Sequence, residues 1–78
     1  MTDRFEPEDD LSVARRIAAA HTAAARDVEA FLRQAPTLPE PADLAEYATL
    51  LAREQALRAQ RRDAVEAAGY AAPSAEGG

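Results

Sequence analysis

The chain holds a single histidine, His21, and no cysteine. His21 is therefore the one side chain whose ordinary titration falls near neutral pH and the one imidazole that could bind a transition metal. The positions three and four residues away are Ile17, Ala18, Ala24 and Ala25. No carboxylate or second imidazole thus shares its helical face, which excludes a local metal pair. Because burial disfavours a charged imidazole, the expected role is a partly buried hydrogen bond across a helix pair or an interface, one that would respond to pH. A second cluster is basic: Arg53, Arg58, Arg61 and Arg62 stand against Glu54 alone within residues 53–62. Guanidinium forks match carboxylate and phosphate oxygens, so these arginines are expected to cover a solvated face or to meet an acidic partner. Nucleic acid is the competing ligand. It is the weaker one, since no aromatic side chain is interleaved and no lysine is present.

The remaining candidates dissolve on inspection. Glu6, Glu8, Asp9 and Asp10 lack the glycine and the alternating spacing of a calcium loop, and carboxylates at a helix start account for them. No Ser/His/Asp set, phosphate loop or glycine fingerprint occurs. Catalysis is accordingly not expected, and no cofactor or metal is implied. Gly77-Gly78 reads as part of a flexible tail.

Composition bounds the architecture that must position these groups. Of 78 residues, 47% are apolar, but 21 are alanine, and Leu, Ile, Val and Phe together number only 13. Alanine is the best helix former and the net charge of −5 is modest, so the chain reads as helical with a thin core. All nine basic residues are arginine. GC-rich codons explain the pairing of abundant alanine with a lysine-free sequence, as in a high-GC bacterial genome. Without cysteine there is no disulfide framework. The alanine-rich run around His21 is broken by charges, so no membrane span is expected, and MTDRFEPEDD is acidic where a signal peptide is basic, which predicts a cytoplasmic protein.

Proline divides the sequence. Residues 1–8 form an acidic lead, a first helix is predicted from about 8 to 35, a proline turn covers 36–41, a second helix runs from about 42 to 68, and 70–78 form the tail, so the domain is 9–69. Three prolines in six residues cannot continue a helix, and so short a connector makes the two helices antiparallel neighbours. Glu6-Pro7 and Glu40-Pro41 both suit a helix start, with proline at the first position, while Thr37-x-x-Glu40 is a competing capping box. Gly69 suits the left-handed position after the second helix, with Tyr70 next to Val65.

On a helical wheel the first helix collects Val13, Ile17, His21, Val28, Phe31 and Leu32 on one half, with alanines between them. The second collects Leu44, Tyr47, Leu50 and Leu51, and then Leu57 and Val65 beside Glu54, Arg58 and Arg61. Larger side chains gather near the turn, so the open end of the hairpin is expected to be under-packed, with the alanines at 18–25 admitting a second copy. A hairpin this small rarely supplies enough core alone. The fold class predicted is therefore all-α: a two-helix antiparallel hairpin completed as a coiled-coil-like four-helix bundle by oligomerisation. The function expected is that of a non-enzymatic interaction, assembly or regulatory protein, a homodimer or a module docked on a larger protein. The alternatives are an antitoxin-like nucleic-acid-associated regulator using residues 53–62 and an accessory subunit of a larger enzyme.

Overall fold

The computed structural model describes residues 9–70, so the acidic lead 1–8, including Glu6 and Glu8, and the tail from 71 onward lie outside the described residues. Within them the chain is two helices, α1 (Asp10–Gln34) and α2 (Pro41–Ala67), packed on one another as a hairpin. Each boundary follows from local chemistry. Asp9 is the N-cap of α1, its carboxylate accepting from the Ser12 N–H at 2.7 Å, and that bond holds the Asp9 carboxyl below its ordinary range. With Asp9 as the cap, α1 starts at Asp10, and the Glu6-Pro7 start signal lies outside the described residues. At the other end Ala35 is extended, as a residue before proline tends to be, and α1 stops at Gln34.

Helix α2 starts as expected with proline at its first position. The competing cap is displaced: Glu40, not Thr37, is the N-cap, and the Asp43 carboxylate accepts from the Glu40 N–H at 2.9 Å. A cap at Thr37 would draw the Pro39 and Pro41 positions into the first turns, whereas Pro41 at the first position loses no bond. Gly69, at φ +94°, closes α2. Its N–H donates to the Glu66 carbonyl and the Tyr70 N–H to the Val65 carbonyl, both at 3.0 Å, which is the paired pattern of a Schellman stop.

Between the helices the fully covered positions are small. Ala14 and Ala24 are buried apolar residues, and Glu54 is the buried polar one, while Val13, Ile17, Val28, Phe31, Tyr47, Leu50, Leu51, Leu57 and Val65 are half-buried. Near the turn the Phe31 and Tyr47 rings stack with centroids 5.9 Å apart and planes at 29°. Leu32 and Leu44 are 56% and 57% exposed, because two helices cover only the strip where they touch. Deepest burial falls at 14, 24 and 54, toward the middle and the open end of the hairpin.

Gly69→Ala tests the C-terminal stop. A Cβ there meets nothing within 4 Å, so the cost is the left-handed backbone alone. The expected loss is about 1 kcal/mol, read as a lower urea midpoint with unchanged slope. An unchanged midpoint would mean that the stop contributes nothing to stability.

Candidate functional site

The distinguishing cluster lies where the polar residue of the first apolar stripe meets those of the second. His21, half-way along α1, and Glu54, mid-way along α2, are 33 residues apart in sequence, and His21 Nε2 lies 2.8 Å from Glu54 Oε2. Their side chains are only 15% and 7% exposed. Arg58, one turn further along α2, donates to the same oxygen through Nε at 3.1 Å and Nη2 at 2.7 Å. On the other edge of the imidazole, Arg61 Nη1 is 3.1 Å from His21 Nδ1.

These contacts suit one arrangement of donors and acceptors. Arginine can only donate and an ionised carboxylate can only accept. Both contacts are satisfied when His21 Nδ1 accepts from Arg61 and Nε2–H donates to Glu54. The hydrogen bond from His21, then those from Arg58, hold the Glu54 carboxyl below its ordinary value, against the opposing effect of desolvation. All of these bonds fall on Oε2. Glu54 Oε1 is buried and has no hydrogen-bond partner among the described residues.

The arginines singled out by sequence do not act as one free basic patch. Arg53 faces Asp27 at 3.4 Å, Arg58 is committed to Glu54, Arg61 to His21, and Arg62 lies 3.8 Å from its neighbour Asp63. The Glu54–Arg58 pair has the favourable i, i+4 orientation expected from its spacing. The hydrogen bond across the helix pair expected of His21 is present, but the sequence did not single out Glu54 as its partner from the three charged residues, Glu54, Arg58 and Arg61, on the second stripe. No group of three or more His, Cys, Asp or Glu side chains gathers among the described residues, and no helix among them is long and apolar enough to cross a membrane.

Around this cluster runs a second feature, a shallow groove along one face of the hairpin. At the turn end a concavity of about 150 Å³ is lined by Leu32 and Leu44 with Phe31 and Tyr47. It continues through Leu32 to His21 and Arg61. A section of about 560 Å³ lies beside Arg58, Arg62, Val65 and Tyr70, and the groove ends at the open end with Leu11 and Tyr70. Of the five exposed large apolar residues among those described, Leu11, Leu32, Leu44 and Tyr70 line this groove, and Leu38 in the turn does not. Comparison of the chain with protein-family models, curated proteins and solved structures finds no match, so the geometry alone carries the functional reading.

Two outcomes test the cluster. His21→Leu strands the buried Glu54 carboxylate without its α1 partner and lowers the melting temperature. The double variant His21→Leu/Glu54→Leu removes the need for a partner and recovers most of that loss, because apolar replacement of a whole buried pair is tolerated where breaking it is not. Simple additivity of the two singles would show that the pair does not interact. With pH, the sign follows from a lowered folded value. The Glu54 contribution is complete above the ordinary glutamate value of 4.5 and is lost as pH falls below it through the lowered one. Glu54→Gln should flatten that acid limb in melts taken between neutral pH and about pH 3. A limb of unchanged steepness would place the acid sensitivity elsewhere.

Proposed function

We propose that this protein is a non-enzymatic interaction or assembly module that docks through the grooved face of its hairpin. The partner is a second copy, giving a homodimeric four-helix bundle with coiled-coil-like packing, or a larger protein to which the chain is a regulatory or accessory subunit. One observation carries this reading: large apolar side chains stay exposed along one face while the core between the helices buries only alanines and a glutamate. A thin core of this kind gains stability from association. Apolar patches rimmed by charge are the usual marks of protein interfaces. The non-enzymatic part of the proposal rests on the polar cluster, whose imidazole has both nitrogens engaged by Glu54 and Arg61. A cytoplasmic setting is part of the same proposal, supported by a composition with no cysteine to require an oxidising compartment.

A nucleic-acid-associated, antitoxin-like role is the second reading. It is favoured by Arg58, Arg61 and Arg62 lining one concavity. Against it stand the net charge of −5 and the carboxylates facing Arg53, Arg58 and Arg62. Phosphate contacts would announce themselves as a steep loss of affinity with salt.

The test is the double variant Leu32→Asp/Leu44→Asp. Both side chains are already exposed, so helicity by circular dichroism should be kept. Wild-type protein is expected to sediment above the 8.4 kDa chain mass at micromolar concentration, or to retain a specific protein from an extract of its host, and the double variant to lose either property. A variant that associates and captures like wild type would end the proposal.

A further inference from the structure

We infer that the grooved face accepts an acidic amphipathic helix from another protein, apolar toward both ends and carboxylate-rich across its middle. The inference rests on the docking reading above and names the partner that the groove's charge selects. Its apolar contacts are split between the two ends, Leu32 and Leu44 beside the turn and Leu11 and Tyr70 at the open end. Between them the lining holds more arginine than carboxylate: Arg26, Arg58, Arg61 and Arg62 against Glu29 and Glu66, with Arg15 at the open end and Asp43 near the turn. Arg58 shares its charge with the buried Glu54, and Arg62 lies 3.8 Å from Asp63. This excess of arginine occurs in a chain whose net charge is −5.

That pattern argues against a second copy on the same face. Turning one hairpin over onto another about a twofold axis lets apolar ends meet, yet it also brings the two arginine-lined middles together, and like charges across an interface are costly. A helix laid between α1 and α2 answers both features. The walls of the groove are helices of 25 and 27 residues. At about 1.5 Å per residue they offer roughly 40 Å, room for about six to seven turns. Apolar anchors at helical spacing then fill the two ends, and carboxylates in the middle reach guanidinium groups on both walls. Arg26 on α1 and Arg62 on α2 are exposed and stand outside the His21–Glu54 cluster, so they are the residues that read charge without holding the fold.

The probe is a synthetic amphipathic peptide of about 20 residues, leucine along one stripe and glutamate in its central turns, beside a twin with lysine in place of glutamate. The full-length protein is followed by amide NMR and by sedimentation. Expected are shifts at Leu11, Leu32, Leu44 and Tyr70 with the glutamate peptide, binding about tenfold tighter than that of the lysine twin, and reversal of this preference in Arg26→Glu/Arg62→Glu, whose helicity is checked separately. Equal binding of the twins, binding of neither, or shifts confined to the opposite face overturns the inference. So does a duplex oligonucleotide that perturbs Arg58, Arg61 and Arg62 more strongly than the peptide. A dimer that buries Leu32 and Leu44 overturns it as well, while leaving the docking reading intact.

Discussion

A carboxylate removed from water must find partners, and in this hairpin that demand falls on Glu54. With residue exposure of 5%, it is the one buried polar or charged residue among those described, while the buried apolar residues are alanines. Alanine burial contributes little per residue and fits many registers, because one small side chain against a helix backbone resembles the next. The 2.8 Å bond from His21 does not share that tolerance. A slide of one turn, about 5.4 Å, would leave Glu54 without its α1 donor and His21 without its acceptor. Polar pairing thus specifies the alignment that a thin alanine seam leaves open.

The same cluster shapes the surface. Arg58 reaches to Glu54 and Arg61 to His21, and both line the groove beside Val65. The groove is therefore divided into an apolar end, an arginine-lined middle and a second apolar end. Arg53, by contrast, turns to Asp27 on the other side of the hairpin, where Asp43 and Glu46 line an acidic concavity with Leu50. The two faces of one small hairpin carry opposite electrostatic character, which gives a partner a means of choosing between them.

Helix ends were legible in the sequence because their causes are local. Pro41 at the first position of α2 and the Gly69 stop with its Tyr70–Val65 bond follow from residues within a turn of one another. The Glu54–Arg58 pair is legible for the same reason, being four residues apart on one helix. The end of α1 was readable to within one residue, since Ala35 precedes Pro36. Cap choice was harder: Thr37 and Glu40 both offer a side-chain oxygen, and the course of the chain through three prolines decided for Glu40.

What the sequence by itself determined was two helices, their polarity and the stripes that face each other; which members of those stripes touch was a tertiary decision. His21 and Glu54 both interrupt the apolar stripes, but bringing them together requires the register of α1 against α2, which the short connector and the Phe31–Tyr47 stack narrow and the polar pair then fixes. The exposure of Leu32 and Leu44 has the same origin. Both belong to apolar stripes by periodicity, yet two cylinders meet along a line, so side chains on the flanks of each stripe stay in water. A wheel gives the width of an apolar stripe, and only the packed pair shows how much of that width one partner helix can cover.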